Sequence, residues 1–326
     1  MKIETGICRI VMDRSEGDRE EWLARRREGI GGSDASAILG LNPWRSPLAV
    51  AVDKKGLALE AEDEESDAMR YGRRMEEPIL TWFKEDYESI EGRAIEVYRA
   101  PHMYASEHRP WQIADIDGLC VVDGVTGGVE IKTHDRFALR AYGAEGVPDW
   151  IRPQPMHYMA VTGLPFFYVV ALIGRKLLWR RVDYDETEIA HICEVEDQFR
   201  RDYMLTDALP PPAGMDSDDD IIRALYGLSD SQDEVMLTED SLLAEEYVKA
   251  AETEKAAAER KALARQTIQM HMGTAKYAIC GEYRATWTRF KQKRLDLDLL
   301  RQEQPDVAER YTQEQPATRF TIKEAK

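Results

Sequence analysis

Residues 111–134 constrain the chain most. WQIADIDGLCVVD and GVEIKTH are short runs rich in β-branched and apolar residues, separated by a turn, DGVTGG, and they read as a pair of strands. Side chains alternate along a strand, so Glu130 and Lys132 share one face while Val129, Ile131 and Thr133 take the other. Folding the second run back on the first sets Asp117 beside Glu130. Two carboxylates and an ammonium then meet on an otherwise apolar pair of strands. Like charges so placed raise each other's pKa and cost stability unless a cation lies between them. Hard oxygen ligands suit Mg²⁺ or Mn²⁺, with the Ile131 carbonyl as a further ligand. Lys132 suits orienting a bound water or offsetting negative charge on a phosphoryl group. A surface hairpin whose Glu and Lys face solvent has the same spacing, so the pattern alone leaves both readings open.

Around this pair, helical and strand periodicities alternate. REEWLARRREGI reads as a helix running into GIGGSDASAILG, where Ser33 or Asp34 suits capping the helix that follows. The Gly31-Gly32 pair lacks the Lys-Ser/Thr of a nucleotide-binding loop, and no strand is expected before it. NPWRSPLAVAVDKKG reads as a turn and short helix, and AEDEESD as an exposed acidic loop. DAMRYGRRMEEPILTWFKEDY has helical period: Leu80, Phe83 and Tyr87 form an apolar stripe that Glu76 joins, while Glu77 lies on the polar side. Pro78 marks either a kink or the first turn of that helix. After the strand pair come a helix, DWIRPQPMHYMAVTG, an apolar strand, LPFFYVVALIG, its hairpin partner, LLWRRVDYD, and a helical segment over 186–207. This order predicts a mixed α/β layer protein.

PPPAGMDSDDD at 210–220 is the best linker candidate, which divides the chain into a domain over 1–210, an acidic linker over 211–235 and an appendage over 236–326. The appendage opens with one long Ala-, Glu- and Lys-rich helix, continues as a hairpin, KYAIC-GE-YRATWTRF, and ends in a short helix and a last strand, RFTIK. The net charge of −17 does not exclude a polyanion as partner, because it is unevenly spread. Residues 211–240 hold nine acids and one base, whereas 276–294 hold six bases and one acid. That basic stretch interleaves Tyr277, Tyr283, Trp287 and Phe290, a composition suited to nucleic acid, although an amphipathic hairpin packed on the long helix fits as well. No apolar run is long enough to span a membrane, and the acidic start does not read as a signal peptide. Cys8, Cys120, Cys193 and Cys280 lie far apart without a CxxC, which argues against zinc, an iron-sulfur cluster or a disulfide scaffold, and a reduced cytoplasmic setting is expected. The six histidines form no ligand spacing.

The run DG…VEIKT, with RREGIGGSDASAILGLNPWRSP, YGRRMEEPI and QPMHYM, resembles the YqaJ-type viral recombinase family, relatives of phage lambda exonuclease within the PD-(D/E)XK nucleases. Four blocks in order across about residues 20–210 carry the likeness, with one departure: Ile116 stands where a proline is usual. The resemblance implies a restriction-endonuclease-like core with a mixed sheet flanked by helices. It also implies a Mg²⁺- or Mn²⁺-dependent exonuclease, holding two ions, that degrades one strand of duplex DNA from its 5′ end for recombination in a bacterial host, of phage or prophage origin. It assigns Asp117, Glu130, Lys132 and Glu76 to catalysis, with Asp117, Glu130, Ile131 and Glu76 at the metals. Gln154 and Tyr158 match a QxxxY element that contacts DNA, and Arg27 and Ser33 match residues that hold a terminal 5′-phosphate. Met69 stands where an apolar wedge separates the strands, a position a core methionine would equally suit. Implied partners are duplex ends bearing 5′-phosphate, a single-strand annealing protein and further copies of the chain. Two other readings stay open: an inert scaffold that recruits an annealing protein, and an endonuclease of the same fold.

Overall fold

The computed structural model describes residues 2–13, 19–57, 66–143, 146–227, 234–237, 240–312 and 320–322. Two compact units divide the chain, Met1–Leu225 and Tyr226–Lys326. In the first, the elements run β1 (Cys8–Asp13), α1 (Arg19–Glu28), β2 (Ile30–Gly31), α2 (Gly32–Ile38), α3 (Pro47–Lys54), α4 (Asp67–Glu91), β3 (Glu96–Arg99), β4 (His102–Ser106), β5 (Gln112–Asp115), β6 (Gly118–Val122) and β7 (Val125–His134). A 3₁₀ turn at Arg136–Tyr142 leads to α5 (Pro153–Thr162), β8 (Phe166–Ile173), β9 (Lys176–Asp183), α6 (Glu186–Phe199) and α7 (Asp216–Tyr226).

Five strands form the central sheet in the order β3-β6-β7-β8-β9. Its pairings are antiparallel except β7 with β8, which run parallel because α5 crosses between them. The sheet is therefore mixed and flanked by helices, as expected of this fold class. All eight residues of β8 are buried, which explains its unbroken apolar run. Its alternate side chains feed two cores. Phe167, Val169 and Ala171 pack with Met156, Met159 and Ile192 of α5 and α6, while Tyr168, Val170 and Leu172 pack with Ile79, Leu80, Phe83 and Tyr87 of α4. A smaller sheet, β1-β4-β5-β2, adjoins this framework.

Several local expectations change. The run expected as one strand from Trp111 breaks at Ile116 and Asp117, so that β5 joins the small sheet and β6 the central one. The turn between β6 and β7 is only Asp123-Gly124, both at positive φ (51° and 78°), and VTGG belongs to β7. A two-residue strand, β2, does lead into α2 at the Gly31-Gly32 junction, pairing in parallel with β5. Helix α2 starts after Gly31, and Asp34 caps it from the third helical position, accepting a hydrogen bond from the Gly31 amide at 3.0 Å. Pro78 lies within an unbroken α4. Most of AEDEESD lies outside the described residues.

The proposed linker is the largest change, because much of it is part of the first unit. Asp218 of α7, 1% exposed, accepts from the Ser46 hydroxyl and from the Ala213 amide, and Ile221 packs on Leu48 and Val52. The compact unit accordingly ends at Leu225 instead of 210.

The second unit carries α8 (Ser241–Met272), the hairpin β10 (Tyr277–Cys280) and β11 (Tyr283–Thr286), α9 (Leu297–Glu303) and α10 (Pro305–Arg310). The described part of the expected last strand, 320–322, is not strand. Among the described residues no helix is long and apolar enough to cross a membrane.

Candidate active site

A cavity of about 600 Å³ opens in the first unit, with Asp117, Glu130, Ile131, Lys132, Gln154 and Tyr158 in its wall together with Glu76 and Ser33. The β6–β7 ladder explains the first of these meetings. Gly118 pairs with Val129, which puts Asp117 level with Glu130, and the Asp117 carboxylate accepts from the Ile131 amide at 2.8 Å. Val129 and Ile131 turn to the α4 core, so Glu130 and Lys132 turn toward α5. The solvent-facing hairpin is excluded: Glu130 is 3% exposed.

Helix α5 supplies the groups that make such burial tolerable. Lys132 Nζ donates to Glu130 Oε1 at 2.6 Å and to Gln154 Oε1 at 2.8 Å. The Gln154 amide donates to Glu130 Oε1 at 2.7 Å and to the Tyr158 hydroxyl at 3.0 Å. Tyr158 in turn donates to the Asp115 carbonyl at 3.0 Å. Gln154 and Tyr158, one helical turn apart, thus form a polar ladder with Glu130 and Lys132. Gly32 lets α2 close over it: a Cβ there would lie 2.5 Å from the Tyr158 ring and 2.9 Å from Gln154 Cγ.

Glu130 Oε2 is buried and has no hydrogen-bond partner among the described residues. Burial pushes the Glu130 carboxyl up, the Asp117 charge adds to it, and Lys132 offsets only part, leaving it at about 8. Tyr158 is raised well above its ordinary value, first by burial and then by the charges of Glu130, Asp117 and Asp115, so it stays a hydrogen-bond donor. An orphaned carboxylate oxygen beside a second carboxylate fits a divalent cation by the chemistry of its donors. Among the described residues no three His, Cys, Asp or Glu side chains are grouped closely enough to form a metal site by themselves, so a backbone carbonyl or water must complete any shell.

Glu76 follows the phase expected of it. On α4 the positions Met69, Arg73 and Glu76 line the cavity, and the same stripe continues into the core as Leu80, Phe83 and Tyr87. Glu76 forms an ion pair of 3.7 Å with Arg99. Met69 is 58% exposed at the cavity, so the core reading of that residue fails.

Beside Ser33 stands a second cation of the same run. Arg26, one residue from the expected Arg27, donates from Nη2 to Ser33 Oγ at 2.9 Å and lies 4.7 Å over the Trp22 ring. Arg27 is not among the residues that line the cavity, whereas Arg19, Trp22 and Arg26 are. Their spacing of three and four residues marks one face of α1, a signal present in the sequence but masked by the run Arg25-Arg26-Arg27. Trp22 also donates from its indole nitrogen to Asp115 at 2.8 Å. Asp115, at the end of β5, is a further carboxylate in the wall that the motif reading does not single out.

Beneath the Gly31-Gly32 turn lies a buried charge network that the sequence did not suggest. Asp34 is met by Lys54 at 2.6 Å and Arg45 at 2.8 Å, and Lys54 also donates to the Arg26 carbonyl at 2.6 Å. Burial alone would raise Asp34, but Lys54, Arg45 and Arg26 outweigh it and hold the carboxyl well below the usual range. His157, which the sequence left without a role, is fully buried between Glu196 at 2.8 Å and the Ile113 carbonyl at 2.9 Å, fastening α5 to α6.

Residues 21–165 match the model of the YqaJ-like viral recombinase domain, the family suggested by the motifs. The chain is 28% identical over 320 residues, 97% of each protein, to "Uncharacterized protein YqaJ" of Bacillus subtilis (strain 168). Among solved structures it is similar to an alkaline exonuclease, LHK-Exo, from Laribacter hongkongensis: 19% identity, 57% of this chain and 93% of that one, TM-score 0.42. For LHK-Exo in complex with dAMP the identity is 19%, the shares are 64% and 100%, and the TM-score is 0.43.

Proposed function

Starting from a YqaJ-like viral recombinase domain at residues 21–165, we propose that the chain is a divalent-metal-dependent exonuclease that degrades one strand of linear duplex DNA from its 5′ end, in recombination of the phage type. The observation that carries this reading is Glu130, buried beside Asp117 with one carboxylate oxygen unpartnered and Lys132 on the other. Asp117, Glu130 and the Ile131 carbonyl would hold Mg²⁺ or Mn²⁺, and Glu76, which is not grouped with those two carboxylates, would face the same cavity from α4 and reach the cation through water. When bound there, such a cation would supply charge stabilisation at the phosphoryl oxygens and lower the pKa of water. Lys132 offsets the negative charge that develops during phosphodiester hydrolysis. Gln154 and Tyr158 fix the orientation of Glu130 and Lys132, and they present the α5 edge to the DNA.

Arg26 with Ser33 holds the terminal 5′-phosphate, the role the resemblance had given to Arg27 with Ser33. Arg19, Arg73 and Arg99 line the same cavity and give it the charge a polyanion requires. Glu76, Asp115, Asp117 and Glu130 occupy the same space, which is why the acidic floor needs a cation before DNA can approach. Two substrates test the reading: a linear duplex with and without 5′-phosphates, and a closed circular duplex. The phosphorylated linear duplex should be degraded fastest and the circle left intact. Cutting of the circle would make the chain an endonuclease, and degradation from 3′ ends would remove the assigned polarity.

A further inference from the structure

The second unit has a surface whose charge is opposite to that of the chain. From Lys276 to Arg294 there are six basic residues and one acid, Glu282, against a net charge of −17 overall. The hairpin β10–β11 and residues 287–296, which are neither helix nor strand, leave their rings in solvent: Tyr283 is 80% exposed, Phe290 79%, and Tyr277 and Trp287 47% each. An amphipathic hairpin packed by one face on a helix would bury rings of this size. Here only Ala278 and Ala285, paired across the hairpin, are half-buried within it.

Cations accompany the rings. The Arg284 guanidinium lies 4.3 Å over Tyr277 and Lys276 Nζ 5.2 Å from the same ring. Phe290 stands between Arg289 and Lys291, and Lys293 and Arg294 follow. A protein-binding patch concentrates aromatic residues in a core depleted of charge, which this interleaving prevents. A duplex offers phosphates but keeps the faces of its bases stacked inside. A single strand offers both. We propose that the hairpin and its 287–296 extension bind single-stranded DNA without sequence preference, Tyr283, Trp287 and Phe290 stacking on bases and Arg284, Arg289, Lys291 and Lys293 meeting phosphates. The site goes beyond the nuclease reading and requires no metal. Together the two readings imply that the chain retains the strand its hydrolysis leaves behind.

Anisotropy titrations of the full chain in EDTA test this, with a labelled oligothymidine of about 30 nucleotides and a blunt duplex of equal length, since a single platform covers roughly 4–16 nucleotides. Replacing Tyr283, Trp287 and Phe290 together by Ala should weaken oligothymidine binding roughly tenfold or more and change duplex binding little. The variant Tyr283→Phe with Trp287→Phe should bind like the wild type, because the stacking faces remain. Changing Arg284, Arg289, Lys291 and Lys293 to Gln should make the slope of log K against log salt shallower by about 3, at about 0.7 per phosphate. These side chains are exposed, so far-UV circular dichroism should be unchanged. Wild-type affinity in the Ala variant, or an unchanged salt slope in the Gln variant, would overturn the proposal. Duplex degradation in Mg²⁺, followed separately in the same variants, reports on the nuclease reading and not on this one.

Discussion

Glu130→Gln should change how the metal-free protein responds to pH before any question of catalysis arises. Free in an unfolded chain, Glu130 would ionise near 4.5, whereas in the folded protein its carboxyl is pushed up to about 8 by burial and then by the Asp117 charge. A group raised on folding stabilises fully below its unfolded pKa, and that stability is lost as pH rises through the folded value. The window therefore runs from about 4.5 to about 8. At about 1.4 kcal/mol per pH unit across that window, the loss is on the order of 5 kcal/mol at most. Gln keeps the shape of Glu and an oxygen for Lys132, and it carries no charge to expel from the interior. Urea titrations in EDTA at several pH values should show the wild type losing stability toward alkaline pH relative to Glu130→Gln. Mg²⁺ should restore it far more in the wild type than it stabilises the variant, which keeps Asp117 but lacks the Glu130 carboxylate. Parallel stability curves for the two proteins from acid to alkaline pH would refute the claim that Glu130 is a buried carboxyl awaiting a cation.

Lys132→Met should leave DNA binding in Ca²⁺ near normal while single-turnover cleavage falls on the order of 10²–10³-fold, and an unchanged rate would make Lys132 a purely structural partner of Glu130. Arg26→Ala should abolish the preference for 5′-phosphorylated ends, with a loss of about 1.5–3 kcal/mol read as relative kcat/KM, while Arg27→Ala should retain the preference. Gly32→Ala should cost about 1–3 kcal/mol in urea denaturation and slow turnover as well, because its methyl must displace the Tyr158 ring and Gln154. Asp218→Ala should destabilise the first unit by roughly 1–3 kcal/mol for each partner left unpaired, Ser46 and the Ala213 amide. A freely linking segment there would show no change.

Periodicity made much of this site legible. The period of two put Glu130 and Lys132 on one face and the helical period put Glu76 on the buried stripe of α4, because both are local rules that tertiary packing then obeyed. Periodicity also held in α1, where Arg19, Trp22 and Arg26 share a face, but three consecutive arginines obscured which one turned inward. The break at Ile116 and Asp117 could not be read, since nothing local says that β5 and β6 belong to different sheets. Long-range pairing hid the rest. Asp218 is one acid in an acidic, Pro-led stretch until Ser46, 172 positions earlier, receives it. Asp34, Arg45 and Lys54 look like ordinary surface charges until α2 and α3 fold together and exclude water from them. The His157–Glu196 pair likewise exists only once α5 packs on α6.

The central claim is that Asp117 and Glu130 form a cation-dependent hydrolytic site, and digestion of an end-labelled linear duplex tests it most directly. Wild-type protein should degrade one strand in Mg²⁺ and neither strand in EDTA. Asp117→Asn should remain folded and lose on the order of 10³-fold in rate, the several kcal/mol expected for a lost metal ligand. Undiminished degradation in EDTA, or a wild-type rate in Asp117→Asn, would contradict the account.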